Sequence, residues 1–301
     1  MRVGGRTVEI TKPDKVLFAD HGITKADLAD YYARVAETML PHVRGRPVTM
    51  ERFPEGIGGE RFFQKDIPDY FPDWIRTAEM KKEGGRVTHV VIEEAATLVY
   101  LANQACITPH VSLSRADRPH DPDRMIFDFD PARDDFPAVR DGARRLRDVL
   151  VELGLSPFVM TSGSRGLHVV VPLDRSADFD TVREFARRIA DLLVAKDPDR
   201  LTTEQRKDKR GGRIYVDTGR NAYAQTAVAP YAARALAGAP VAAPVEWNEL
   251  GRKGFGPRRH TIRSLFRRLA RKDDPWREIG RGARSLDEAE KRLDAMTERD
   301  R

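Results

Sequence analysis

The chain has 301 residues, 40% of them hydrophobic, enough for one large domain or two small ones around a real core. No apolar run approaches the ~20 residues of a membrane span, and Met1-Arg-Val-Gly-Gly-Arg-Thr-Val8 lacks the apolar block of a signal peptide. A single cysteine, Cys106, excludes an intramolecular disulfide and a cysteine-built zinc site, while 53 Lys and Arg against 47 Asp and Glu leave a net charge of +6 that permits a polyanionic partner without requiring one.

Thr24-Lys-Ala-Asp27 reads as a capping box with Asp in place of Glu, followed by Leu28, Tyr31, Tyr32, Val35 and Met39 at helical period, with Pro41 closing the helix. Strands are expected over 47–53 and, after a Gly84-Gly85 turn, over 86–92; a helix over 93–104; and a strand over 109–113. Met125-Ile-Phe-Asp-Phe-Asp-Pro131 reads as a short strand that Pro131 ends, since proline cannot donate to a ladder. Asp134-Asp-Phe-Pro137 starts a helix whose buried face is Val139, Leu146, Val149, Leu150 and Leu153, capped by Gly154. Strands over 158–161 and 167–172 form a hairpin through Ser162-Gly-Ser-Arg-Gly166. A helix over 180–195 and a strand over 213–217 follow. Ile262, Leu265, Phe266 and Leu269 suggest an amphipathic surface helix beside Arg263, Arg267 and Arg271, and Ser285-Leu-Asp-Glu288 a capping box for a last helix. No long linker is visible. The fold class implied is α+β, a largely antiparallel sheet flanked by helices.

Three segments carry the chemistry. In the first strand, Asp128 and Asp130 stand at i and i+2 and share a face, with Phe127 and Phe129 on the other. Like charges that close favour a cation between them, although a solvated strand end or a cap would use the same residues. The Ser162–Gly166 turn offers hydroxyls, backbone N–H groups and Arg165, the groups that hold a triphosphate, with His168 on the strand that leaves it; the plainer reading is a hairpin with a core histidine. Ile214-Tyr-Val-Asp217 ends in a third carboxylate that could complete a two-metal site or simply cap a strand. The basic cluster Arg206-Lys-Asp-Lys-Arg-Gly-Gly-Arg213 precedes it, and a second runs from Arg252 to Lys272; solvated charged surface is the usual meaning of such runs.

In order and wording these segments resemble the archaeo-eukaryotic primase superfamily, and more narrowly the polymerase domain of bacterial ligase D. That family has Asp-hydrophobic-Asp-Pro, then Ser-Gly-(Ser)-Lys/Arg-Gly-x-His, then a strand ending in Asp. Thr11-Lys-Pro-Asp-Lys-Val-Leu-Phe18 with Ile23-Thr-Lys25, Glu51-Arg-Phe-Pro-Glu-Gly56, Arg61-Phe-Phe-Gln-Lys65, Asn103-Gln104, His110, Ala229-Pro-Tyr231 and Arg234 also have counterparts, so the likeness runs from about residue 7 to residue 275. The resemblance implies a primase-like catalytic core in one domain, 1–301, with an N-terminal subregion (1–105), a catalytic core (106–275) and a C-terminal helix (276–301).

It also implies roles. Asp128, Asp130 and Asp217 would ligate two Mn²⁺ or Mg²⁺ ions, Asp217 also helping to activate a primer 3′-hydroxyl. Ser162, Arg165 and His168 would hold the incoming nucleotide's phosphates, assisted by Arg234, with His110 near sugar and phosphates and Arg220 in the nucleotide region. Lys15 and Lys25 match lysines that grip a downstream 5′-phosphate; Arg52, Phe62, Phe63 and Lys65 match the template-contacting loop, whose aromatics stack on bases. Two departures stand out: Glu51 lies where relatives often carry Lys, and Arg220 where Gln is common. The implied activity is a template-dependent nucleotidyltransferase that fills gaps and extends ends in non-homologous end joining, favouring ribonucleotides. Its partners would be primer-template or gapped DNA with a 5′-phosphate, NTP or dNTP, Ku and a DNA ligase, and its place the cytoplasm, with the nucleoid. A de novo primase and a non-catalytic end-bridging module are the alternatives. No ligase domain is recognisable, so the chain reads as a stand-alone polymerase or a fragment of a larger ligase.

Overall fold

The computed structural model describes residues 1–82 and 84–299. The chain divides into two compact units: Met1–Asp117 with Thr226–Ala243 and Arg258–Asp274, and Arg118–Gln225 with Pro244–Pro257 and Pro275–Arg301.

The first unit is built on a sheet in the order Thr226–Val228, Cys106–Ser112, Arg46–Arg52, Gly85–Ile92, Thr77–Lys82, all neighbours antiparallel. Arg46–Val48 pair with the Gly85–Ile92 strand, and Met50–Arg52 with Phe62–Gln64. Its long helix, Lys25–Val43, starts where the sequence places it. The Thr24 hydroxyl accepts from Asp27 N–H (3.2 Å) and Asp27 Oδ2 accepts from Thr24 N–H (2.8 Å), closing the capping box. The expectation that Pro41 ends this helix is corrected: the helix continues to Val43. Pro41 lies in the last turn, so it removes one backbone bond, while burial of Met39, His42 and Val43 and the Arg44 N–H bond to Leu40 O (2.9 Å) hold that turn. The expected C-terminal amphipathic helix shrinks to Leu265–Leu269. Thr261 and Ser264 bond each other's backbone N–H groups ahead of it, which fixes a turn where the helix would have begun, and Arg268 is buried within the stripe.

The second unit carries the order Leu201–Thr202, Ile214–Asp217, Arg124–Asp130, Leu167–Pro172, Phe158–Thr161, Pro244–Val245; only the first pair is parallel. Helices Phe136–Glu152, Phe179–Lys196 and Asp287–Arg299 contribute to one core with Phe127, Phe129, Val169 and Val171. Asp135 caps the first of these (from Ala138 N–H, 3.1 Å). Leu155 N–H returns to Leu150 O (2.9 Å) around Gly154, whose φ of +83° suits glycine at the end of a helix. The last helix forms without the full capping box: Ser285 Oγ accepts from Asp287 N–H (3.2 Å), but the Glu288 carboxylate pairs with Lys291 instead (2.7 Å). The architecture is α+β, as the element pattern implies. Among the described residues, no helix is long and apolar enough to cross a membrane, and Cys106 is a buried free thiol.

Candidate active site

The pleat of the second sheet decides the site. Phe127 and Phe129 are fully buried in the helix-covered core, so Asp128 and Asp130 emerge on the opposite face. Register then aligns partners beside them. Asp128 stands opposite His168 on one side and opposite Asp217 on the other, and Asp130 stands opposite Tyr215. Residues directly opposite in an antiparallel pair point to the same face, so His168, Asp128 and Asp217 form one row across three strands.

Hydrogen bonds fix each acid. Asp217 Oδ1 accepts from Gly219 N–H (2.7 Å) and from the Tyr215 hydroxyl (3.1 Å). Burial, then the charge of Asp217 and this bond, hold the Tyr215 phenol well above its usual range, so Tyr215 stays a donor. Asp130 Oδ1 accepts from Arg165 Nη2 (2.9 Å) and Oδ2 from Arg210 Nη1 (3.1 Å). Arg210 also donates to the Glu204 and Gln205 carbonyls and lies 4.2 Å from the centroid of the Tyr215 ring. His168 Nε2 is 3.4 Å from Asp128 Oδ1, and among the described residues its buried Nδ1 has no hydrogen-bond partner. The donor set of Asp128, Asp130 and Asp217 suits a hard divalent cation, since all its atoms are carboxylate oxygens. Among the described residues, however, no three His, Cys, Asp or Glu side chains already surround one point. Asp130 is turned to Arg165 and Arg210 instead.

The Ser162–Gly166 turn is organised from within. Ser162 Oγ accepts from Ser164 N–H (3.2 Å) and Gly166 N–H (3.0 Å), and Ser162 N–H returns to Gly166 O (3.0 Å). A side chain on Gly166 would overlap the Phe129 carbonyl oxygen, which explains the glycine: the turn lies directly on the strand of the acids. Arg220 is exposed on the short turn Gly219–Asn221 that follows Asp217.

The residues expected to meet DNA all lie in the first unit, where Lys25 is buried and Phe62, Phe63 and Lys65 are exposed. Lys15 pairs with Glu55 (2.8 Å), and Lys25 reaches Thr11 Oγ1 (3.4 Å). Burial, then the charges of Lys15, Lys12 and Arg52, lower the Lys25 pKa. Phe62 and Phe63 are exposed, and the Phe63 ring meets His110 edge-on at 5.6 Å. Lys65 is exposed just beyond them. Glu51, buried on the strand Arg46–Arg52, pairs with His110 (3.2 Å) and Arg61 (3.6 Å). Burial pushes its pKa up, but the bond and charge of His110, and then Arg234, more than reverse this, leaving it below the usual carboxylate value. Arg52 Nε donates to Gln104 O (2.8 Å) and Nη1 to Gln64 Oε1 (2.5 Å).

Sequence reasoning missed Tyr215, Arg210 as an individual residue, and Asn221. The last is fully buried; its Oδ1 accepts from Ile126 N–H (2.8 Å) and its Nδ2 donates to Ile126 O (2.7 Å) and Thr218 O (2.9 Å). The amide side chain thus extends strand pairing beyond Asp217, where the neighbouring strand has ended. A lone Asn after a strand carries no pattern that announces this.

Residues 24–276 match the family described as LigD, primase-polymerase domain. The multifunctional non-homologous end joining DNA repair protein LigD of Mycobacterium tuberculosis (strain ATCC 25618 / H37Rv) is 36% identical over 276 residues, covering 89% of this chain and 36% of that protein. The bifunctional non-homologous end joining protein LigD of Bacillus subtilis (strain 168) is 31% identical over 271 residues, covering 89% of this chain and 43% of that protein. A solved structure, the polymerase domain from Mycobacterium tuberculosis ligase D in complex with DNA, is similar at TM-score 0.86 and 33% identity, over 92% of this chain and 99% of that one. The chain spans well under half the length of these curated relatives.

Proposed function

The chain belongs to the family of LigD primase-polymerase domains, and from that premise we propose that it is a template-directed nucleotidyltransferase that fills gaps and extends ends in double-strand-break repair by non-homologous end joining. The observation that carries this reading is the row of His168, Asp128 and Asp217 on the face away from the helices, with Asp130 and its arginines one step along the strand. On this reading a primer 3′-oxygen bonds to the α-phosphorus while the bond to the departing pyrophosphate breaks. Asp128, Asp130 and Asp217 would hold two divalent ions, Mg²⁺ or Mn²⁺, whose charge lowers the pKa of the attacking hydroxyl and screens the triphosphate. The Tyr215 hydroxyl and Gly219 N–H hold Asp217 so that its second oxygen faces the 3′-hydroxyl. Arg165 exchanges Asp130 for phosphate oxygens, and His168 steadies Asp128 from the neighbouring strand.

The lysines of the first unit supply the DNA half of the proposal. Burial, and after it the charges of Lys15, Lys12 and Arg52, depress the Lys25 pKa, and a recessed 5′-phosphate would offset the repulsion among these cations. The template then runs over Phe62 and Phe63, which accept any base because every base has a π-face. Ku and a DNA ligase, on this chain's own polypeptide or another, are the partners such a step requires, and the nucleoid is where it would take place. A preference for ribonucleotides belongs to the same proposal. The test is extension of a gapped primer-template with labelled NTP or dNTP and Mn²⁺. Extension that disappears in Asp128→Ala, and ribonucleotide incorporated ahead of deoxyribonucleotide, are expected. Unprimed single strands should yield no dinucleotide. Absence of extension, or extension indifferent to Asp128→Ala, refutes the assignment.

A further inference from the structure

Among the described residues the exposed large aromatic side chains are Phe62 (39%), Phe63 (53%) and Tyr70 (61%), all within one short stretch of the first unit. Tyr70, the most open of them, owes its position to a duplicated turn. Pro68-Asp-Tyr-Phe71 and Pro72-Asp-Trp-Ile75 follow one another directly. In each, the fourth residue's N–H returns to the first residue's carbonyl, Phe71 to Pro68 and Ile75 to Pro72, both at 3.0 Å. In each, the fourth side chain is buried; the aromatic at the third position is exposed in the first turn and half-buried in the second. The two rings then differ in what meets them. Trp74 has the Arg6 guanidinium over its face at 4.9 Å and Tyr100 at its edge at 6.0 Å. Tyr70 has Phe71 tilted beside it at 5.4 Å, and the rest of the ring faces solvent.

Arg52 ties this ring to the template-contacting loop. Its Nη1 donates to the Tyr70 hydroxyl (3.4 Å) as well as to Gln64, its Nε is spent on Gln104 O, and its guanidinium carbon lies 5.4 Å from the Phe62 centroid. It is a bracket between two open aromatic faces. Charge sorts what could lie there. The charges of Lys12, Lys15 and Arg52 act on Lys25, and on the proposed function this cluster takes the 5′-phosphate. Asp69 and Asp73, at the second positions of the turns, repel phosphate from Tyr70 itself. A flat, uncharged group attached to a phosphate fits both conditions.

We infer that Tyr70 is a base-stacking residue for an unpaired nucleobase of DNA flanking the bound 5′-phosphate, and that Arg52 is a positioning residue that sets Tyr70 and Phe62 rather than a phosphate ligand. The inference rests on the DNA-binding reading above. It is tested by anisotropy with three probes: a duplex whose recessed 5′-phosphate faces a single-stranded overhang, the same duplex blunt, and the overhang duplex with abasic nucleotides beside the junction. Tyr70→Ala and Tyr70→Leu should weaken the overhang probe by about 5- to 150-fold, the worth of one stacked base. Both should leave the blunt probe and the ratio of 5′-phosphate to 5′-hydroxyl affinity unchanged, and Tyr70→Phe should bind like the parent. The abasic probe should lower affinity in the parent protein by more than in Tyr70→Ala, where only Phe62 and Phe63 remain to stack. Arg52→Gln should lose at least as much overhang affinity as Tyr70→Ala, add nothing once both Tyr70 and Phe62 are alanine, and preserve the 5′-phosphate ratio. Parent-like binding by Tyr70→Ala or Tyr70→Leu, or equal loss on blunt and overhang probes, overturns the role of Tyr70. A collapsed 5′-phosphate ratio in Arg52→Gln makes Arg52 a phosphate ligand after all. If the parent binds none of the probes, the DNA-binding reading itself fails, and this inference with it.

Discussion

Replacing Asn221 with alanine should be among the most damaging changes in the second unit, although Asn221 touches none of the three acids. Its side chain makes three hydrogen bonds, two of them to the N–H and carbonyl of Ile126. Because Ile214–Asp217 pairs with only Asp128–Asp130, no strand stands ready to take those two groups over. Each buried group left unpaired costs about 1–3 kcal/mol, so the pair amounts to roughly 2–6 kcal/mol, less whatever a water entering the vacated space recovers. A typical domain has a net stability of only about 5–15 kcal/mol, so the change consumes a large share of it. Asn221→Asp keeps the acceptor for Ile126 N–H but sets an oxygen against the Ile126 carbonyl, so it should be no milder. Urea unfolding reads the loss as a fall in midpoint at constant slope, and hydrogen exchange should localise it as faster exchange of the Ile126 amide. A destabilisation under about 1 kcal/mol would mean that the backbone finds other partners and that Asn221 is not the extension of the sheet argued here.

Other expectations follow from single contacts. Gly166→Ala drives a methyl group into the Phe129 carbonyl oxygen; with backbone on both sides it should cost at least the roughly 1–3 kcal/mol of ordinary overpacking, read by thermal unfolding, and disorder the Arg165 side of the site. Arg210→Ala removes a cation 3.1 Å from Asp130 Oδ2, so Mn²⁺ titrated by calorimetry should bind more tightly; unchanged or weaker binding would show that Asp130 takes no part in holding the ion. Lys25→Met should raise the unfolding midpoint at neutral pH while abolishing any preference for a 5′-phosphate. The depressed Lys25 pKa means that the unfolded chain holds that proton more tightly, so this residue's charge costs stability at neutral pH, and the cost fades as pH rises toward 10.5.

Most of the scaffold was legible because periodicity and punctuation agree: the Thr24–Asp27 box, the apolar run around Asp128, the Ser162–Gly166 hairpin and the Gly154 cap all lie where pattern puts them. The acids' shared face followed from a two-residue period, and their alignment with His168 from register, which no local pattern states. What escaped were residues whose partner is distant or generic. Ser162 Oγ accepts from two N–H groups of its own turn, a structural part that the motif alone does not state. Arg210 was one charge among many in a basic loop; its distinction is that it is buried and folded back on Asp130. The stripe from Ile262 to Leu269 had helical spacing, but hydroxyl–backbone bonds at Thr261 and Ser264 offered the chain a cheaper local turn.

Glu51 shows how this chain accommodates a buried carboxylate. Three positive or hydrogen-bonding groups answer it: His110 at 3.2 Å, Arg61 at 3.6 Å, and the charge of Arg234. Burial raises its pKa, but the bond and charge of His110, then Arg234 and a bond from Thr108, hold it below the ordinary value, so the native state favours the ionised form more than the unfolded chain does. That stability is fully present above the unfolded carboxylate value, about 4.3, and is lost as pH falls through the lower native value. Glu51→Gln should therefore be less stable than the parent at pH 7, and the gap should close on acidification below that value. Equal gaps at pH 7 and pH 3 in urea titrations would show that the carboxylate is not stabilised by its neighbours. The same substitution frees the positive charge that Glu51 now offsets. If Arg234 and His110 serve the triphosphate, Glu51→Gln should bind nucleotide more tightly, with a steeper dependence on salt, because counterions then compete for an uncompensated cluster. Weaker binding would instead mean that Glu51 acts chiefly by holding His110 in place. The two outcomes separate electrostatic tuning from positioning in one titration.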